Sequence, residues 1–180
     1  MKVKGSLTEA MWKLEGNVAL LVIDENHDLT KKSESESNET RIAQLKVYAV
    51  AKEKKFFKVL VKFTMGYSMV ESDVTMGYDF EYGKPNANAF KSDSQELLMF
   101  LRSKKVATLI VVGYHINACV RATIGASAFN LSDARGEEGA VQNGFKVLTC
   151  RQVLRGDKEK EDPDITWNLD HENLAFYATD

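Results

Sequence analysis

Short apolar runs that alternate with helical patterns constrain the fold of this chain more than any other feature. Val18–Ile23 is an unbroken apolar run, as expected of a strand buried on both faces of a sheet. Further strands are predicted at 56–63, 108–112 and 145–149. Helical patterns lie between the strands: one spans 39–53, a second begins at Ser92, and a third runs from Asn117 to Ala128. Ser92 and Gln95 have the spacing of a capping box for the second helix, and Asn117 is the expected N-cap of the third. Such alternation favours right-handed crossovers, so we predict a three-layer α/β/α fold, Rossmann-like in its layering, with a mainly parallel central sheet.

The size and charge of the chain narrow its class. With 180 residues, 44% hydrophobic and 28% charged, residues 1–180 suit a single globular domain. The net charge of −2 gives no electrostatic reason to expect nucleic acid or an anionic membrane as partner. No apolar stretch approaches the ~20 residues of a membrane span, and no signal peptide is visible. Two cysteines do not indicate a disulfide framework, so we expect a cytoplasmic protein.

Four segments interrupt or extend the alternating pattern. Thr64–Pro85 has neither period, which predicts a long loop, and long loops are often functional. Ser132–Asn143 and Arg155–Asp164 are predicted insertions. The tail from Ile165 is too apolar to remain free in solvent, so we expect it to dock on the body or on a second subunit.

Three reactive side chains fall near the predicted carboxyl edge of the sheet, where ligands bind in folds of this kind. Asp24 follows the first strand, Lys84 ends the long loop, and Cys119 begins a helix after the third strand. A thiol at a helix start gains thiolate character, a nearby carboxylate can move its proton, and an ammonium balances both charges. Each residue also has an ordinary structural explanation: a strand-end turn, a solvated lysine and an inert buried cysteine.

The segments around these residues resemble three motifs of the isochorismatase-like cysteine hydrolases, whose relatives include nicotinamidases and N-carbamoyl amidohydrolases. Residues 20–29, LLVIDENHDL, resemble a strand ending in D-x-Q-x-D-F. Residues 84–90, KPNANAF, resemble a lysine followed by a small-Ala-Phe element. Residues 111–120, VVGYHINACV, are similar to V-x-G-x-x-x-x-x-C-V. The three motifs occur in the family order, and the resemblance extends from about Val18 to Leu154.

The resemblance implies a catalytic triad of Asp24, Lys84 and Cys119. It implies a cis peptide bond between Tyr114 and His115, and an oxyanion hole formed by the backbone N–H groups of His115 and Cys119. It also implies a substrate pocket with contributions from three further side chains, which are Asn26, Phe90 and Tyr114. Homo-oligomers are usual in the family, and the apolar tail fits that expectation.

The function implied is hydrolysis of an amide or carbamoyl C–N bond of a small molecule through a thioester. Relatives that cleave the vinyl ether of isochorismate need no cysteine nucleophile, so Cys119 favours the C–N reaction. The alternative is a catalytically silent relative that binds a small ligand or a protein. Several departures from the motifs favour it: Asn26 for Gln, Leu29 for Phe, Ile116-Asn117 for Thr-Asp and Gln152-Val153 for Asp-Ala.

No cofactor or metal is expected. Metal-binding relatives use an Asp-x-His pair and a second histidine after the first motif, whereas the histidines here are His27, His115 and His171. A flavodoxin-like or dinucleotide-binding module is a further alternative, but no G-x-G-x-x-G follows the first strand.

Overall fold

The computed structural model describes residues 2–24, 38–63, 77–84, 88–91, 95–127, 138–156 and 162–180. Its strands are β1 (Lys2–Ser6), β2 (Val18–Ile23), β3 (Phe57–Phe63), β4 (Phe80–Lys84), β5 (Thr108–Tyr114), β6 (Lys146–Cys150), β7 (Leu154–Arg155) and β8 (Leu174–Thr179). Its α-helices are α1 (Leu7–Trp12), α2 (Asn38–Glu53), α3 (Glu96–Ser103), α4 (Arg121–Ile124) and α5 (Pro163–Thr166). A π-helix, Ile116–Val120, precedes α4, and a 3₁₀-helix, Arg151–Val153, precedes β7.

Within the described part of the chain the strands form one eight-stranded sheet in the order β1-β8-β6-β5-β2-β3-β4, with β7 beside the end of β5. Each pairing in it is parallel. The predicted three-layer α/β/α fold with a mainly parallel sheet is confirmed. Because all these strands run the same way, their carboxyl ends share one edge, and the candidate residues end or follow strands at that edge.

The core of the sheet lies at β2 and its two neighbours. All six residues of β2 are buried, and Ile23 pairs with Val61 of β3 on one side and Gly113 of β5 on the other. Apolar side chains on both faces explain why the sequence of β2 is continuous rather than alternating. This buried centre fixes the backbone from which Asp24 emerges.

The tail docks on the body of the same chain, which is one of the two arrangements expected; the other was docking on a second subunit. It supplies β8, which lies between β1 and β6, and Trp167 packs edge-on against Phe176 with ring centroids 5.7 Å apart. The hydroxyls of Ser6 and Thr8 both donate to the carbonyl of Asp180. The tail is therefore part of the sheet.

Two local predictions differ from the structure, and a third lies partly outside the described residues. The predicted loop Thr64–Pro85 contains β4 near its end, while residues 64–76 lie outside the described part. Helix α3 begins at Glu96, with Gln95 as an N-cap that makes no side-chain capping bond, and Ser92 also lies outside. In the predicted insertion Ser132–Asn143, Ala140 and Val141 donate backbone bonds to the end of α4. Within the described residues, no helix is long and apolar enough to cross a membrane.

Candidate functional site

Asp24 leaves the end of β2 in an unusual backbone conformation. Its φ is +48°, a left-handed value that Asp tolerates better than most residues. Its N–H donates to the carbonyl of Val61, 2.8 Å away, so the residue remains tied to β3 although the strand has ended. The side chain is half-buried, which leaves the carboxylate at the boundary between the core and the edge of the sheet.

Cys119 lies in the short π-helix that follows β5, and its thiol is half-buried. The thiol makes a hydrogen bond with the side chain of Asp24. The structure therefore brings together two of the three residues expected to form the triad.

The helix begins earlier than predicted, since its N-cap is His115 rather than Asn117. His115 directly follows β5, which ends at Tyr114. The prediction that Asn117 is the N-cap is wrong: its side-chain oxygen accepts a bond from the Thr166 hydroxyl, 2.7 Å away. The carbonyl of His115 instead accepts from the N–H groups of Ala118 and Val120. Cys119 thus lies within the helix rather than in the first turn of a capped α-helix.

Burial raises the pKa of the Cys119 thiol well above its usual range, and the hydrogen bond and negative charge of Asp24 raise it further. The backbone N–H groups of His115 and Cys119 act on the same sulfur and lower the pKa in part. Burial and Asp24 thus act against the thiolate character predicted for a thiol at a helix start. Asp24 is the group placed to accept the thiol proton.

The turn before the π-helix has the backbone form that the resemblance implied. The Tyr114–His115 peptide bond is cis, which confirms that prediction. Gly113, at φ +134°, lies so close to β2 that an added Cβ would overlap the Ile23 carbonyl oxygen. Only glycine allows this approach, which sets the end of β5 directly beside the residue before Asp24.

Lys84 is the last residue of β4, and its backbone pairs with Phe63 of β3. This places it on the carboxyl edge, two strands from Asp24. Its side chain lies outside the described part, so its convergence with Asp24 and Cys119 stays a prediction.

The three residues expected at the substrate are in different situations. Asn26 lies outside the described residues, as does His27. Phe90 is buried, and its ring packs against Phe145 with centroids 5.6 Å apart, so a contact between Phe90 and substrate stays a prediction. Tyr114 is half-buried at the end of β5, and its ring meets the His115 ring edge-on at 4.7 Å.

Two basic residues near the site were missed in the sequence. Lys62 of β3 is half-buried and interacts electrostatically with Asp24 and Glu81; burial lowers its pKa, and the two carboxylates raise it in part. Arg155 of β7 lies over the Tyr114 ring, with its guanidinium carbon 4.1 Å from the ring centroid. Both lie within strands, where no sequence signal marks a site residue.

Other parts of the described structure do not form a competing site. Among the residues it describes, no group of three or more His, Cys, Asp or Glu is arranged to hold a metal ion. A surface cavity of about 400 Å³ lies beside α5, lined by Lys2, Asp164, Trp167 and their neighbours. None of the candidate catalytic residues lines it, so the chemistry at the edge of the sheet locates the site better than this cavity does.

No family model matches the sequence, and no protein of curated function matches it in sequence. Solved structures do match. The N-carbamoylsarcosine amidase of Thermoplasma acidophilum has a TM-score of 0.61 at 14% identity, over 90% of this chain and 96% of that one. An isochorismatase family protein of Burkholderia thailandensis has a TM-score of 0.59 at 16% identity, over 91% and 92%. An octameric Escherichia coli hydrolase of unknown specificity has a TM-score of 0.53 at 17% identity, over 78% and 64%. By its fold, therefore, this chain is isochorismatase-like.

Proposed function

We propose that this chain is a cysteine hydrolase that cleaves an amide or carbamoyl C–N bond of a small molecule through a thioester. The observation that carries the proposal is the hydrogen bond between the Cys119 thiol and the Asp24 carboxylate, beside two backbone N–H groups that act on the same sulfur. A nucleophile, a proton acceptor and an oxyanion site are the parts that acyl transfer needs.

The proposed reaction begins when Asp24 takes the proton of Cys119 as the sulfur attacks the carbonyl carbon. The carbonyl oxygen becomes an oxyanion that accepts hydrogen bonds from the N–H groups of His115 and Cys119. When the C–N bond breaks, Asp24 gives the proton to the departing ammonia or amine, and a thioester remains. Asp24 then removes a proton from water, which attacks the thioester and releases the acid and the thiol.

The raised pKa of Cys119 supports this order of steps. A thiol that holds its proton against Asp24 reacts little in the absence of a substrate carbonyl, because the thiolate is the nucleophilic form. Transfer of the proton to Asp24 during attack supplies the thiolate only where it is used. Asp24 would therefore act as general base and then as general acid in the first half-reaction, and as general base toward water in the second.

Lys84 is the proposed third member of the triad, with the role of orienting Asp24 and balancing the charge of the site. Its position at the carboxyl end of β4, on the same edge as Asp24, is compatible with that role. Asn26, Phe90 and Tyr114 are the proposed substrate contacts. The fold shared with N-carbamoylsarcosine amidase supports a carbamoyl or amide substrate.

The test is a substrate screen combined with trapping of the intermediate. Simple amides, N-carbamoyl compounds and isochorismate are incubated with the protein, and release of ammonia or amine is measured. A hydrolysed amide should give an acyl adduct on Cys119 by intact-protein and peptide mass spectrometry after acid quench. Cys119→Ser should lose both turnover and adduct, whereas full activity in that variant would overturn the proposed mechanism.

The second candidate is a catalytically silent protein that binds a small ligand or protein at the same edge. The raised pKa of the half-buried Cys119 thiol favours it, since burial raises the pKa of an unused thiol as well. Ligands from the same screen that raise the melting temperature without any thioester would support the silent protein. A Cys119 adduct would exclude it.

We also propose that the protein is a cytoplasmic homo-oligomer. The octameric Escherichia coli hydrolase with the same fold supports assembly. Light scattering coupled to size-exclusion chromatography should give a mass of two or more 20.2 kDa chains. A monomer at micromolar concentration would contradict it.

A further inference from the structure

The two-residue strand β7 lies beside the proposed oxyanion turn and outside the main order of strands in the sheet. β6 pairs with β5 only from Thr108 to Ile110. The chain then leaves through the 3₁₀-helix and returns as β7, where Leu154 pairs with Gly113 and Arg155 pairs with Tyr114. The two residues of β7 thus meet β5 directly before the π-helix that carries Cys119.

Two side chains, from α2 and from the 3₁₀-helix, donate hydrogen bonds to the backbone at the start of β7. The buried Gln44 of α2 donates from Nε2 to the carbonyl of Val153, 3.1 Å away. Arg151 donates from Nη1 to the carbonyl of Leu154, 2.8 Å away. Since both acceptors belong to the backbone just before Arg155, the start of the Arg155 side chain is fixed relative to β5.

Arg155 uses this position to contact the face of Tyr114. Its guanidinium carbon lies 4.1 Å from the ring centroid, within the range in which a cation is attracted to an aromatic face. The same ring meets the edge of the His115 ring at 4.7 Å. Both Arg155 and Tyr114 are half-buried, so water screens the contact less than it would on the open surface.

The Tyr114 carbonyl carbon is bonded to the His115 nitrogen, so rotation about the Cα–C bond of Tyr114 turns the His115 N–H group. A Tyr114 side chain that is held in place opposes such a shift of its own backbone. That N–H group acts on the Cys119 sulfur and is one of the two proposed oxyanion donors. We propose that Arg155 is a positioning residue, which holds Tyr114 by a cation–π contact and thereby keeps the His115 N–H aimed at the reacting oxygen. This role rests on the proposed function.

Acetaldehyde is a suitable probe, because it tests the oxyanion site without turnover. The Cys119 sulfur forms a bond to the carbonyl carbon, and the π electrons of the carbonyl pass to its oxygen. That oxygen receives the proton lost by the thiol, so the product is a neutral thiohemiacetal and no other reactant is needed. Carbon-13-labelled acetaldehyde reports the adduct by NMR, and titration gives its dissociation constant.

Arg155→Met should weaken the adduct about fivefold, the size expected for loss of one cation–π contact. Tyr114→Leu should weaken it similarly, and the double variant should be no weaker than either single one, because both act through the same contact. Arg155→Lys retains a cation and should restore part of the affinity. Arg102→Met, which removes the same charge from the exposed last turn of α3, should stay within twofold of the unmodified protein.

Where the screen finds an amide substrate, Arg155→Met should lower kcat and leave KM nearly unchanged, since the His115 N–H stabilises the transition state. Melting temperatures show whether the variants fold. If Arg155→Met does not, Arg155→Lys and Tyr114→Leu carry the comparison, and an adduct as tight as that of Arg102→Met in both would overturn the proposal.

Two further outcomes separate this proposal from the proposed function. If acetaldehyde forms no adduct that Cys119→Ala abolishes, the nucleophile assignment fails and the role of Arg155 fails with it. If the adduct forms on Cys119 but Arg155→Met binds acetaldehyde as tightly as the unmodified protein, only the positioning role is wrong. Additive effects of the Arg155 and Tyr114 substitutions would likewise contradict a shared contact.

Discussion

The hydrogen bond between Cys119 and Asp24 determines when the sulfur is reactive. A carboxylate that accepts a bond from a thiol stabilises the protonated form, and burial acts in the same direction. The two backbone N–H groups oppose this effect but do not reverse it. At the scale of single residues, burial and Asp24 therefore favour the protonated form of the Cys119 thiol over a preformed thiolate.

The pH dependence of alkylation tests this state of Cys119. Because its pKa is raised, the thiolate fraction should grow about tenfold per pH unit from pH 7 to 9, and the iodoacetamide rate should grow with it. Cys150 should react more slowly, because it is fully buried. Peptide mass spectrometry measures both rates. A rate that levels off near neutral pH, or preferential labelling of Cys150, would contradict the assignment.

Lys62 offers a second test at the residue scale. Its ammonium interacts with Asp24, so Lys62→Met should leave the carboxylate charge less balanced and raise the pKa of Cys119 further. Alkylation of Cys119 at pH 8 should slow roughly three- to tenfold. Lys58→Met is the control: it lies on the same strand, with its ammonium 4.0 Å from Asp79, and should change the rate less than twofold. Equal rates in both variants would exclude this role for Lys62.

The sequence predicted the candidate residues that lie at the ends of strands. It missed the residues that come close to the site from neighbouring strands. Asp24 and Cys119 could be found because an apolar run stops just before each region. Lys62 is near the site because its neighbour Val61 pairs with Ile23, and Arg155 is near it because it pairs with Tyr114. Hydrophobic periodicity does not reveal which residues pair. The burial of Cys119, which raises its pKa, is not visible in the sequence for a related reason, because burial depends on packing between elements distant in sequence.

At the scale of elements, the site depends on the close approach of β2 and β5. Gly113 pairs with Ile23, and the residues after this pair include Asp24 on one strand and Tyr114 on the other. A side chain at Gly113 would overlap the Ile23 backbone. The distance between the two strands at this point thus controls the distance between the general base and the turn that leads to the nucleophile.

Gly113→Ala should therefore destabilise the fold and disturb the site together. The overlap and the strained φ should cost about 3 kcal/mol or more of unfolding free energy. Gly144→Ala is a matched control, because Gly144 has φ +85° but nothing within 4 Å of an added Cβ, so only the strain remains, about 1 kcal/mol. Urea unfolding measures the difference. Equal losses in the two variants would show that the β2–β5 contact adjusts to a methyl group.

The strands that were predicted are those at the centre of the sheet. β2, β3, β5 and β6 consist of apolar runs, because central parallel strands are covered on both faces. β1 and β4 are at the two edges and carry polar residues, so their sequences resemble loops. β8 alternates buried and half-buried residues over its first four positions and ends in two exposed ones. The two-residue β7 exists only through its pairing with β5.

At the scale of the whole molecule, we expect the second cysteine to reduce stability in alkali. Cys150 ends β6 and is fully buried in the core. Burial raises the pKa of Cys150 from its ordinary value of 9.0 to about 11. A raised pKa means that the folded state holds the proton after the unfolded state has lost it, so stability is complete below pH 9 and falls as the pH rises toward 11.

Cys150→Ala should remove this contribution to the alkaline loss, which is on the order of 2 kcal/mol of unfolding free energy. The variant starts from a lower stability because a core atom is missing, so the slope of stability against pH is compared rather than its level. Urea unfolding at intervals from pH 8 to 11 gives the two slopes. Cys119, Tyr48 and Tyr177, whose pKa values are also raised, still titrate in both proteins and cancel in the comparison. A Cys150→Ala slope as steep as that of the unmodified protein would mean that ionisation of Cys150 does not limit the fold.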